Sequence, residues 1–289
     1  MTGSHAHARG DVLRAYLVLP HAVPIMAVLV ATMAFALVAA GGWPGAVNMV
    51  CLLGAMLGGQ LAVGAVNELV DVELDRLSKP HKPIPAGLVS HRGARAIVLV
   101  GLLLMVAFSV RFSIEAFVLC ALGNGTGIAY SIWFKRTVWS WIPYIVAVPL
   151  IPIWVWTALD DVPIRMLAIY PLAVPAVIAL QLAQSMPDIG LDREAGVRTL
   201  AVELGSQWAP RVAWTCVLLP LAIAASAAAW VAERPEWIWV SCLISGALLA
   251  SNVVIWRRNP HQGVMSAFPL IAAAVVVLGV GWSVGIVSL

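Results

Sequence analysis

The sequence predicts an all-α, polytopic membrane protein with nine transmembrane helices around a central cavity. Three observations carry this. The chain of 289 residues is 62% hydrophobic and 11% charged, with a mean hydropathy of +0.94, whereas soluble domains carry about 25% charged residues. Its apolar residues come in runs of roughly 20, the length at which a helix crosses a hydrocarbon core about 30 Å thick. Its basic residues alternate from one connection to the next, as in chains oriented by a membrane. The formal net charge of +3 then reflects topology and gives no reason to propose nucleic acid as a partner.

A polar tail, residues 1–13, precedes the first run at about 17–40. That run is too long for a signal h-region, and no small-residue cleavage site follows it. The second run, about 47–66, passes directly into an acidic segment. The third and fourth, about 96–112 and 116–134, are joined by a very short connection around Arg111, Ser113 and Glu115. The fifth, about 138–158, follows Lys135 and Arg136, and the sixth, about 163–186, leads into a second acidic segment. The seventh, eighth and ninth lie at about 212–232, 237–256 and 264–287. With a cytoplasmic N-terminus, 14 of the 17 Lys and Arg fall inside, and only Arg111, Arg165 and Arg234 fall outside. A missed span would scramble this pattern downstream, so the count and the orientation support each other. The expectation is one unit over 1–289, integral to the plasma membrane, with the N-terminus and the loops 67–95 and 187–211 cytoplasmic.

Cys51, Cys120, Cys216 and Cys242 lie inside apolar runs without paired ligand spacing and read as buried free thiols. The six histidines are scattered. Of the 13 tryptophans, Trp133, Trp139, Trp141, Trp154, Trp156 and Trp237 fall near run ends, where aromatic belts are expected. Trp154 or Trp156 could instead face a cation with its π system.

The two acidic segments repeat one another. Asn67, Asp71, Asp75 and Arg76 match Gln184, Asp188, Asp192 and Arg193 in residue type and spacing, at an offset of 117 residues. Four runs separate them, an even number, so both emerge on the same side and relate runs 2–5 to runs 6–9 as a repeat of the same orientation. Positions i, i+4 and i+8 share one helix face. Asn67, Asp71 and Asp75 thus form one acidic ridge if the helix continues past the membrane core, and Asp188 and Asp192 a second. Both ridges sit near helix C-termini, where the macrodipole disfavours anions by about 0.3–1 kcal/mol per group. Something positive is required beside them.

Interfacial pairing with Arg76, Arg193, Lys79 and Lys82 is one answer, and divalent cation binding is the better one. Ionisable groups are costly at a membrane edge, and a charge cluster alone has no need to repeat its spacing. Mg²⁺ takes hard oxygen ligands, keeps several waters and commonly joins carboxylates to a substrate's phosphates. A diphosphate held where a polar site meets apolar helices most naturally carries a hydrocarbon tail, as an isoprenyl diphosphate does. Metal and cations would stabilise the departing diphosphate and leave an allylic cation to be kept from water.

These segments resemble the UbiA family of intramembrane prenyltransferases. Its first motif, NDxxDxxxD, falls on Asn67, Glu68, Asp71 and Asp75, and its second, DxxxD, on Asp188 and Asp192. The stretches DRLSKPHKPIPAG and GVRTLAVELG, and YSIWFKR from Tyr130 to Arg136, are similar to family loops, especially in the branch with chlorophyll synthases and geranylgeranylglyceryl phosphate prenyltransferases. The resemblance spans nearly the whole chain. It implies that Asp71, Asp75, Asp188 and Asp192 bind Mg²⁺ with help from Asn67. It also implies that Lys82, Lys135, Arg198 and Asn67 contact the diphosphate and that Tyr130 borders the reaction cavity as part of the catalytic set. A membrane-interface anchor is the competing account of Tyr130, and a topogenic basic pair that of Lys135 and Arg136. Glu68, Ser185 and Leu19 depart from the family, where Asp, an acidic residue and Arg respectively are usual, and these departures bear on the acceptor chemistry.

The implied activity is Mg²⁺-dependent transfer of an isoprenyl group from a prenyl diphosphate to a lipid-soluble or aromatic, hydrophobic or amphipathic acceptor, among membrane lipids. A terpene cyclase of the same family would ionise the same donor and let its own double bond attack. A transporter is the contrasting class, but transporter ion sites tend to lie at the midplane in broken helices.

Overall fold

Every apolar run of the sequence becomes a helix in the computed structural model, which describes residues 19 and 22–286; the polar tail and Arg14 lie outside the described residues. In chain order the helices are α1 (Ala22–Ala39), α2 (Ala46–Ser78), α3 (His91–Ser109), α4 (Ile114–Ala129), α5 (Ile142–Leu159), α6 (Ile169–Ser185), the short α7 (Ile189–Glu194), α8 (Leu200–Val231), α9 (Pro235–Arg258) and α10 (Pro260–Ile286). Among the described residues eight helical segments are long and apolar enough to cross a membrane, and a shorter apolar helix, Pro24–Ala39, makes the ninth.

The differences from the sequence reading lie at the ends, where polar residues extend helices beyond the apolar core. The helix of the second run continues about three turns past Val66, to Ser78, so residues 67–78 are helix and not loop. Ser90 caps α3 by accepting from the Gly93 amide at 3.0 Å, and Ser113 caps α4 by accepting from Ala116 at 3.1 Å. That second cap resolves the tight third connection. Thr199 caps α8 at Val202, twelve residues before the seventh apolar run begins, and Gly205, with φ 71°, breaks that helix early. The sixth run is interrupted: a 3₁₀ turn over Met186–Asp188 separates α6 from α7, because Pro187 lacks an N–H and crowds the preceding turn. Gln184, Asp188 and Asp192 therefore do not form one continuous helical ridge.

Small residues let pairs of helices approach closely. A Cβ on Gly58 of α2 would stand 2.6 Å from the Gly101 carbonyl of α3, and one on Gly281 of α10 would stand 2.2 Å from Ser241 of α9. Such contacts replace the hydrophobic effect as the source of helix association in lipid. Gly58→Val is expected to lower the unfolding midpoint in detergent, at the upper end of the roughly 1–3 kcal/mol typical of overpacking; an unchanged midpoint would show that the two helices can separate freely.

Seven helices, α1, α2, α4, α5, α6, the short α7 and α10, line one cavity, while α3, α8 and α9 stand outside it. Within α5, Pro149 and Pro152 each remove a helix N–H, and both line the cavity. Trp154 and Trp156 are fully buried, which corrects their reading as belt residues, whereas Trp133, Trp139 and Trp237 are exposed. All four cysteines are free; Cys51 and Cys120 are buried, Cys216 and Cys242 half-buried.

Candidate active site

The acidic extension of α2 turns its carboxylates inward by helical periodicity. Glu68, Asp71 and Asp75 are buried, whereas Glu73 lies outside and pairs with Arg76 at 2.8 Å. Asn67, Asp71 and Asp75 line the cavity, and from the other side so do Gln184, Ser185, Asp188 and Asp192. The cavity measures about 500 Å³ and is polar at this end and apolar beyond.

Cations meet these oxygens from two segments, the turn after α2 and the end of the π-helical turn after α4. Lys82 Nζ donates to Glu68 Oε1 and Asp75 Oδ2, both at 2.7 Å. Lys135 Nζ donates to Asn67 Oδ1 at 2.7 Å and to Asp71. Arg136 Nη2 reaches Asp71 Oδ1 at 3.2 Å and the Val70 carbonyl at 3.3 Å. Lys79 Nζ donates to Asp188 Oδ1 at 2.8 Å and so joins the two motifs across 109 positions of sequence. The unfavourable helix-end position of the carboxylates is thereby offset by positive charge. Burial by itself would lower the Lys82 pKa, but the hydrogen bonds and charges of Asp75 and Glu68 outweigh it and raise it above the ordinary lysine value.

Local folding places each cation. The Pro83 carbonyl accepts from the amides of Leu88 and Val89 at 3.0 Å, and Gly87 supplies the left-handed φ of 74° that closes this turn after Lys82. Ile84 and Val89 then pack in a small apolar cluster with Leu19, Val72 and Ala94. Leu19 thus anchors the turn that carries Lys82, which is a packing task that an arginine there would not perform. At the end of α4 a π-helical turn, Tyr130–Phe134, closes with the Lys135 amide donating to the Tyr130 carbonyl at 2.8 Å. One extra residue per turn re-aims the side chains that follow.

Tyr130 lines the cavity and stands edge to face with Tyr144 at 5.4 Å between centroids. The Tyr144 hydroxyl donates to Gln184 Oε1. Deeper in the wall, Gln60 Nε2 donates to Asn124 Oδ1 at 3.2 Å, an amide pair inside an apolar chamber.

Of the residues expected from the sequence, Asn67, Asp71, Asp75, Lys82, Tyr130, Lys135, Asp188 and Asp192 come together at one cavity. Arg198 does not. Its side chain is 75% exposed, its Nε donates to Glu203 Oε1 at 2.7 Å, and it is not among the lining residues. Lys79, Arg136, Tyr144 and Gln184 join the site without having been singled out for it. Lys135→Ala is expected to raise the donor KM and Arg198→Ala to leave it unchanged; a rise in both would bring Arg198 back into the binding surface.

No three His, Cys, Asp or Glu side chains converge as a metal cage among the described residues. The donor set is instead two aspartates from each motif at one cavity mouth, all hard oxygens, with an amide oxygen beside them. That set fits Mg²⁺, which keeps waters and shares phosphate ligands, and does not fit an ion that needs an all-protein cage.

Residues 28–274 match the UbiA prenyltransferase family. The chain is 26% identical over 164 residues to digeranylgeranylglyceryl phosphate synthase of Korarchaeum cryptofilum, a match spanning 56% of this chain and 58% of that relative. It is 27% identical over 255 residues to the bacteriochlorophyll synthase 33 kDa chain of Cereibacter sphaeroides, spanning 84% and 74% respectively. The fold is that of a UbiA homolog from Archaeoglobus fulgidus solved bound to GPP and Mg²⁺, with a TM-score of 0.66 at 21% identity over 92% of this chain and 98% of that one. With the family match covering most of the chain and the helices arranged as in that solved homolog, the chain belongs to the UbiA prenyltransferase family.

Proposed function

We propose that this protein transfers an isoprenyl group from a prenyl diphosphate to a hydrophobic or amphipathic acceptor, with Mg²⁺, at the cytoplasmic face of the plasma membrane. One observation carries the reading: two carboxylate pairs and four cations gather at the polar mouth of a cavity whose remaining walls are apolar. The relatives' names and the GPP in the solved homolog support the donor class. The basic connections support the orientation.

Asp71, Asp75, Asp188 and Asp192, with Asn67, would hold Mg²⁺, which supplies Lewis-acid stabilisation of the leaving diphosphate. Lys79, Lys82, Lys135 and Arg136 move from carboxylate to phosphate oxygens when the donor enters, since each stands within hydrogen-bond reach of the mouth. The bond between C1 and the bridging oxygen breaks, and its electron pair leaves with the diphosphate. The allylic cation faces Tyr130 and Tyr144 and an apolar wall that excludes water. The acceptor nucleophile then forms the new bond to C1 and gives up its proton.

The test is incubation of purified protein with Mg²⁺ and prenyl diphosphates of several lengths without acceptor, following diphosphate release and product mass. Release only after a membrane lipid or aromatic extract is added supports transfer. Cyclised hydrocarbon or alcohol without acceptor overturns transfer in favour of a cyclase, and no release under any condition would leave transport as the surviving class.

A further inference from the structure

Three aromatic rings line the end of the cavity away from the charged mouth: Phe35 of α1, Trp154 of α5 and Trp282 of α10. Phe35, near the end of α1, lines the cavity and is 5% exposed. Its ring meets Trp156 of α5 edge-on, with centroids 6.5 Å apart. From α10, a Cβ built on Gly279 would lie 3.2 Å from Phe35 Cζ and within 4 Å of no atom outside that ring. Trp156 does not line the cavity, whereas Gly279 does. Phe35 therefore stands between the open space and Trp156 in the packed core, and the bare Gly279 is what lets the ring lie where it does.

This contact stands far from the charged mouth. Lys135 and Arg136 come just before the start of α5, and Trp156 lies fourteen residues along that helix, or ~21 Å at 1.5 Å per residue. Along α2 the lining reaches from Asp75 back to Met56, ~28 Å of helix. A donor whose diphosphate is held at Asp71 and Asp188 would extend its tail along this length toward Phe35.

We propose that Phe35 and Gly279 form the length gauge of the cavity: the ring stops the distal isoprene unit, and the missing side chain at Gly279 sets how far back the ring can lie. The proposal rests on the prenyl-donor reading and adds a specificity-determining pair to it. Trimming the ring opens space toward Trp156, and a side chain at Gly279 presses the ring away from α10 into the cavity, so the two changes act in opposite directions. A loss of packing alone would shift no preference in two opposite ways.

The experiment measures kcat/KM for diphosphate release across prenyl diphosphates of two to five isoprene units, with Mg²⁺ and the membrane lipid or aromatic extract present as acceptor source, in wild type, Phe35→Ala and Gly279→Val, with unfolding midpoints recorded for each. In Phe35→Ala, discrimination against the donor one unit beyond the wild-type optimum is expected to fall about tenfold or more, and in Gly279→Val the optimum is expected to shorten. A change of even one methylene in an apolar pocket is worth about tenfold. If Phe35→Ala fails to fold, the shortening by Gly279→Val decides. Wild-type release with an unaltered length profile in the folded variants overturns the gauge and leaves the donor reading standing. Absence of release by wild type from every donor overturns both.

Discussion

Asp71→Ala is expected to reduce diphosphate release about 10²–10³-fold, the scale for loss of one preorganised electrostatic partner of a transition state. Asp71 is the carboxylate on which two cations converge, Lys135 and Arg136, and it lines the cavity on the inward ridge of α2. Its removal withdraws a metal oxygen and unbalances the local charge together. Stability is expected to fall far less, because Lys135 and Arg136 are 29% and 46% exposed and can turn to water. Asp71→Asn separates the two effects, since the amide oxygen still accepts hydrogen bonds but brings no charge. Release retained in Asp71→Asn would reduce Asp71 to a hydrogen-bond acceptor for Lys135 and Arg136; release lost in both variants, with unfolding midpoints near wild type, assigns its charge to the chemistry.

The second large effect falls on stability. Lys82 places one ammonium between Glu68 and Asp75, whose side chains are 2% and 6% exposed. Lys82→Met takes that ammonium from two buried carboxylates, a change of the kind that costs about 3–5 kcal/mol. Thermal unfolding in detergent is expected to show a large fall in midpoint, and Glu68→Gln combined with Lys82→Met to recover part of it without recovering activity. A midpoint unchanged in Lys82→Met would mean that water, and not Lys82, neutralises these groups. The pH dependence has a definite sign: because the folded pKa of Lys82 is raised above 10.5, its contribution is fully present below that value and is lost as pH rises through the folded value.

The membrane fold was legible because its signal is long and redundant: each apolar run is a helix, and the inward ridge of Asn67, Asp71 and Asp75 follows from helical spacing alone. Legibility failed where a contact joins distant segments. Nothing near Lys79 in sequence indicates Asp188, and the basic pair Lys135 and Arg136 gives no sign in its own segment that the two side chains reach back to α2. Pro187 was visible, and its break of the second ridge could have been read from its missing N–H. Gln60 and Asn124 also carried a signal, as amides inside apolar runs. The start of α8 was hidden because a hydropathy window sees only the apolar run, while the Thr199 cap starts the helix well before it.

The cavity wall is not uniform in stiffness. The glycine contacts lock α2 to α3 and α10 to α9, whereas α5 lacks two of its backbone hydrogen bonds at Pro149 and Pro152. In deuterium exchange, amides on the locked pairs should be the last to exchange and those flanking the two prolines the first in the wall. Breathing then falls to α5, and the lateral width of the chamber is set by the helix with the weakest internal ladder.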